Sequence, residues 1–127
     1  MLRDIRTHET DNLNKDISII VLDDPDPVSH ASHTYSIAMP GQKSTLIRFQ
    51  HGNPSVEING LTNEVLLAIM ADRLAAFQTG PYSCQENAEM LEHIEGALSA
   101  CKSRAARIGG VDQRGTGTAG TPRATER

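Results

Sequence analysis

Three kinds of side chain in the C-terminal half could together hold a ligand that carries both a base and phosphates. Phe77, Pro81 and Tyr82 bring apolar, stackable surface to one short stretch. Asn87, a little further on, adds an amide able to donate and accept. Arg104 and Arg107 are spaced one helical turn apart and can fork onto phosphate oxygens. Helix rise puts these arginines about 25 Å from Asn87. They can complete one pocket with the aromatic end only if a second subunit packs antiparallel. The plainer reading is a core Phe, a turn Pro-Tyr, a capping Asn and a solvated basic end. Spacing alone favours that plainer reading.

Other chemistry is poorly supported. His30-x-x-His33, with His51, has a spacing that zinc permits, but no third ligand of quality lies nearby. Solvated or strand-face histidines are the better reading. Cys84 falls at a helix start, where its thiol would ionise more easily, yet no His is placed to act as its base. Asp23, Asp24 and Asp26 lack the Gly and the distal Glu that an EF-hand loop requires, so they read as a solvated turn. No P-loop, no G-x-G-x-x-G after a strand and no G-x-S-x-G occurs. The sequence therefore points to no catalytic residue, no metal and no cofactor.

The elements that must position the candidate residues are two helices. The first is expected from about Thr62 to Gln78, with Thr62 as N-cap and Glu64 in the first turn. Leu66, Ile69, Met70, Leu74 and Phe77 recur at helical steps and are expected on one face. Gly80-Pro81 ends this helix, and Ser83-x-x-Glu86 reads as a capping box for the second. Leu91, Ile94, Leu98, Cys101, Ala105 and Ile108 form a heptad-like seam that Gly109-Gly110 closes. The helices would be roughly 25 and 37 Å long at 1.5 Å per residue. The second overhangs the first, so part of its seam needs another partner, and a homo-oligomer is expected.

Upstream, Ile17 to Leu22 is β-branched and reads as a strand. Asp23 to Pro27 is a loop. His33 to Met39 alternates, Pro40-Gly41 fits a type II turn into Ser44 to Gln50, and Val56 with Ile58 suggests a short fourth strand. The expected fold class is α+β: a small N-terminal antiparallel sheet, then a long C-terminal helical hairpin. The expected divisions are a flexible arm over 1–16, the sheet region over 17–60, the hairpin over 61–110 and a flexible tail over 111–127.

Composition narrows the partners. At 127 residues and a net charge of -4, one acidic domain is expected, which argues against nucleic acid as the main partner. The charge is uneven, with Lys102, Arg104, Arg107 and Arg114 clustered against Asp112 alone. Cys84 and Cys101 are too far apart on one helix to pair, and two reduced thiols suit a cytosolic protein. No signal peptide and no membrane-spanning run is evident.

The run Asn59-Gly60-Leu61-Thr62-Asn63-Glu64-Val65-Leu66-Leu67-Ala68-Ile69 resembles a family of small phage proteins. Asp72-Arg73-Leu74 and Phe77-Gln78-x-Gly80-Pro81-Tyr82-x-Cys84-x-Glu86-Asn87-Ala88 carry the same resemblance. That family shares the hairpin domain of the Thoeris anti-defence and anti-CBASS sponges. Ala31-Ser32-His33-x-Tyr35-x-Ile37 and Ile47-x-Phe49-Gln50-x-Gly52 resemble the Thoeris branch, whereas the shorter anti-CBASS proteins lack that sheet. The resemblance covers about Ile17 to Thr116.

The resemblance implies a binding protein and not an enzyme. Members sequester cyclic nucleotide immune signals in the host bacterial cytoplasm, so the downstream effector never fires. The Thoeris branch holds glycocyclic ADP-ribose isomers, and some members also hold cyclic di- and trinucleotides. It implies a homohexamer built as a trimer of dimers, with pockets between subunits. Phe77 and Asn87 match positions that contact the nucleotide, and Arg104 and Arg107 match the basic C-terminal pair. The family's tail motif is Arg-Gly-Val-x-Gly-Thr. Here Gly109-Gly110-Val111 lacks the arginine, and Arg114-Gly115-Thr116 follows an insertion. Gly110, Arg114 and Thr116 are what this chain offers toward a second nucleotide site. Two other classes remain open: a nucleotide-degrading enzyme, which should show a metal or acid/base set, and a helical adaptor binding a host defence protein.

Overall fold

The computed structural model describes residues 2–10 and 12–113, with residues 109–113 described by their helical backbone alone. The chain divides into two compact units, one ending at Leu61 and one beginning at Thr62.

The first unit is an antiparallel meander of four strands: β1 (Arg3–Ile5), β2 (Ser18–Val21), β3 (Thr34–Ala38) and β4 (Thr45–Arg48). Register puts Ile5, Ile19 and Ile37 in one cross-strand row, and Val21, Tyr35 and Ile47 in the next. Side chains two apart share a face, so these six residues form one apolar surface. Val21 is its most buried member. Tyr35 meets Phe49 edge-on, with ring centroids 5.6 Å apart. The β3–β4 connection is the expected type II turn. Gln42 donates to the Met39 carbonyl, and Gly41 takes φ +71°, which a residue with a Cβ resists.

Two expectations for this unit are corrected. The segment 1–16, read as a flexible arm, contains β1, which pairs with β2 over three residues. Three residues are too few for alternation to register, and the partner that completes their hydrogen bonds lies well downstream. The fourth strand is thus N-terminal, because Val56 and Ile58 are not in a strand. They sit in a loop over residues 50–61 that Phe49 and Leu61 close by a bridge. Gln50 donates to the Gly52 and Glu57 carbonyls and accepts from the Asn59 amide, while Asn59 bonds both backbone groups of His51. Side chains do here what a strand partner would otherwise do. Gly60 fits this closure for a steric reason: any Cβ there would collide with the Phe49 carbonyl and the Gln50 amide.

The second unit is the helical hairpin, α1 (Asn63–Gln78) and α2 (Gln85–Gln113). Thr62 caps α1, accepting from the Val65 amide as expected. Leu74 and Ile94 are its buried apolar residues, 6 % and 8 % exposed. Leu67, Ala71 and Gln78 flank Leu74 at helical steps and are half-buried, as are Leu91, Leu98, Cys101 and Ile108 along α2. The α2 seam therefore follows the expected spacing, with Ala105 exposed.

The face of α1 needs correction. Ile69 is 53 % exposed and Met70 and Phe77 are exposed as well, although they were expected to share the face of Leu74. At 100° per residue, Leu66, Ile69, Met70 and Phe77 form a second stripe beside the one that holds Leu67, Ala71 and Leu74. Helix α2 also runs on to Gln113, past Gly109-Gly110. Glycine costs a helix about 1 kcal/mol but stops it only where the chain turns left-handed. Among the described residues no helix is long and apolar enough to cross a membrane.

Candidate functional site

The turn between α1 and α2 gathers four of the residues singled out by sequence. Thr79 closes α1, its amide reaching the Ala76 and Phe77 carbonyls and its hydroxyl donating to Ala76. Gly80 donates to the Phe77 carbonyl, and Ser83 to that of Gly80. The turn is clamped by Gln78, which donates to the Cys84 carbonyl and accepts from the Cys84 amide, both at 3.1 Å. This bidentate clamp stands where a Ser83–Glu86 capping box was expected. Helix α2 begins later, at Gln85, and among the described residues Ser83 and Glu86 make no capping bond. The Ser83 amide is already donated to the Gly80 carbonyl, and Cys84 takes the cap position, its carbonyl accepting from the Ala88 amide.

On this clamped turn Phe77 keeps 37 % of its surface exposed and Tyr82 keeps 74 %. Pro81 is exposed between them. Asn87 is half-buried and donates through Nδ2 to the Tyr82 carbonyl at 3.3 Å, so it fixes the aromatic segment as well as offering polar capacity. Its second N–H and its Oδ1 remain able to read a ligand edge. The guanidinium of Arg73 lies over the Phe77 ring, 5.4 Å from its centroid.

Arg104 and Arg107 are not at this turn. Both belong to α2, with Arg104 half-buried and Arg107 exposed. Arg104 is engaged within the chain. Helix rise from Asn87 to Arg104 is about 25 Å, so one hairpin does not unite the aromatic end with the basic pair. Of the second-site candidates, Gly110 falls within the last turn of α2, whereas Arg114 and Thr116 lie outside the described residues.

A shallow depression of about 410 Å³ lies beside the start of α2, lined by Gln78, Gln85, Ala88, Glu89, Leu91, Glu92 and Glu95. Three carboxylates make it unfit for a phosphate on its own. Sequence reasoning missed Gln78 and Arg73 as members of the turn. The i, i+4 spacing of Arg73 and Phe77 was a usable signal. Nothing local marks Gln78 as a clamp.

No group of three or more His, Cys, Asp or Glu side chains placed to hold a metal ion occurs among the described residues. His33 stacks on His51 at 4.4 Å, and His51 Nε2 meets Asp26 Oδ2 at 2.9 Å. The acid turn is structural as well. Asp23 receives the amides of His33 and Thr34. Burial pushes its carboxyl up, but those amides, its own backbone amide and the nearby His33 outweigh that and leave it below the ordinary range. Asp26 receives the amides of Ser29 and Val28, and these with His51 hold its carboxyl down at about 2.

A depressed acid stabilises the fold only while ionised. The contribution of Asp26 is complete above its ordinary value of 3.8 and is lost as pH falls toward about 2. Asp26→Asn should therefore lower the melting temperature at neutral pH and flatten its decline below pH 4. Parallel acid melting curves for the two proteins would remove Asp26 as a contributor.

Comparison with known proteins bears on the hairpin. A family model described as Acb2/Tad1, hairpin domain, matches residues 42–106, just over half of the chain. The matched span holds β4, the closed loop, α1, the clamped turn and α2 through Ala106, so it includes Arg104 and stops just short of Arg107. No curated protein matches the chain.

Proposed function

The chain belongs to the Acb2/Tad1 hairpin-domain family, and from that premise we propose that it is a phage anti-defence sponge for cyclic nucleotide immune signals. It binds glycocyclic ADP-ribose isomers, with cyclic di- and trinucleotides as further ligands, and leaves them chemically intact. It acts in the host bacterial cytoplasm, where ligand held by the sponge is withheld from the effector.

The observation that carries this reading is the split of the binding groups along the hairpin. A cyclic nucleotide needs a stacking surface, a polar reader and cations. Phe77 with Tyr82 supplies the first and Asn87 the second, at the turn. Arg104 and Arg107 supply the third about 25 Å away by helix rise. An antiparallel second copy brings the basic end of one α2 to the aromatic end of the other. The proposed assembly is thus a homo-oligomer with shared pockets, a hexamer arranged as a trimer of dimers. The α2 overhang supports it, since α1 has 16 residues against 29 in α2.

A sponge neutralises only as many signals as it has pockets. Free glycocyclic ADP-ribose should fall in proportion to added protein, and should return unaltered when the protein is heat-denatured. Recovery of a linear or hydrolysed product would replace this reading with catalysis. The alternative is a helical adaptor for a host defence protein, which the exposed stripe of Ile69 and Met70 could serve. An adaptor would leave the free ligand undiminished at every protein concentration.

A further inference from the structure

We propose that Arg73 is a ligand-contacting residue: from its seat on Phe77 it takes the phosphate next to the base stacked on that ring. The inference rests on the sponge reading above and assigns one phosphate to the same chain that stacks the base.

The guanidinium carbon of Arg73 lies 5.4 Å from the Phe77 centroid. A phenyl ring has two faces, and a cation on one leaves the other to a base. Guanidinium is planar and weakly hydrated, so it can rest on a ring while its N–H edge stays directed outward. Arg73 is exposed. Among the described residues it has no ion pair and no side-chain hydrogen bond that would occupy that edge. A phosphate is separated from its base by a single ribose, so the two groups arrive as neighbours. Phe77 and Arg73 are neighbours in the same way.

Charge makes the position matter. From Thr62 to Ala100, Arg73 is the sole lysine or arginine. The same stretch carries Glu64, Asp72, Glu86, Glu89, Glu92 and Glu95. An anionic ligand stacked at the turn therefore enters a negative neighbourhood unless Arg73 meets it. Arg104 and Arg107 of another copy would then serve the ligand's second phosphate. Each pocket so formed takes one charge contact from the chain that stacks the base and another from the chain that completes it.

The test titrates glycocyclic ADP-ribose into wild type, Arg73→Lys, Arg73→Met and Phe77→Ala at low and moderate salt. Methionine keeps the apolar contact with the ring and removes the charge. Arg73→Met should weaken binding about five- to tenfold, and Arg73→Lys less, as expected for loss of a charge-assisted contact. The salt dependence of affinity should also flatten in Arg73→Met, which a purely structural role on Phe77 would not cause. Wild type that binds, Phe77→Ala that weakens and Arg73→Met that matches wild type at both salts would overturn this inference alone. Wild type that binds no ligand would overturn the sponge reading and this inference together.

Discussion

Phe77→Ala is expected to reduce affinity for glycocyclic ADP-ribose about five- to hundredfold, because base–aromatic stacking contributes about 1–3 kcal/mol in alanine substitutions. The ring is well placed for that role. It projects from the end of α1 with 37 % of its surface exposed, and its backbone is held by the Thr79 and Gly80 amides. A side chain already fixed by a clamped turn loses little freedom when a base stacks on it. Because Leu74 and not Phe77 is buried in the hairpin, truncating Phe77 should leave the fold standing. Phe77→Leu is the sharper companion, since it keeps apolar bulk and removes the aromatic face. Equilibrium dialysis on both variants, with melting curves beside it, would check the expectation. Wild-type affinity in Phe77→Ala would move the base elsewhere.

The parts of this molecule that were legible in its sequence are those whose cause is local. Thr62 caps α1 because a hydroxyl at that place meets an orphan amide two or three residues on. Pro40-Gly41 turns the chain because one residue fixes φ and the next tolerates a positive value. Phe77, Pro81, Tyr82 and Asn87 are near neighbours in the chain, so one turn gathers them whatever else the fold does. Longer-range causes were not legible. β1 exists only through its pairing with β2. Val56 and Ile58 imitate a strand by alternation, but the loop is closed by Gln50 and Asn59 side chains, which no periodicity announces. Helix α1 shows why pattern alone stops short. Leu66, Leu67, Ile69, Met70, Leu74 and Phe77 span an arc of about 160° of its circumference at 100° per residue, wider than one neighbouring helix covers. Periodicity identifies such a helix, but which arc meets α2 is decided by packing.

That second arc leads to the other large expected effect, a contrast between substitutions on the two stripes of α1. Leu74→Ala removes buried methyls from the α1 seam and should cost about 2–4 kcal/mol, as large-to-small core changes do. Ile69→Ser changes an exposed residue and should stay within about 0.5 kcal/mol in a lone chain. The hairpin has only Leu74 and Ile94 buried among its described residues. Two paired helices with so small a core are marginal by themselves, since helices are held chiefly by packing of their apolar faces. If other copies cover the exposed stripe and the α2 overhang, Ile69→Ser becomes costly, because it puts a hydroxyl into a buried interface. Its cost then appears as a shift toward smaller species in light scattering, and the melting temperature of wild type rises with protein concentration. A wild-type chain that scatters as a monomer at micromolar concentration, with melting indifferent to both concentration and Ile69→Ser, would refute the shared pocket. Arg104 and Arg107 would then have no aromatic end to meet.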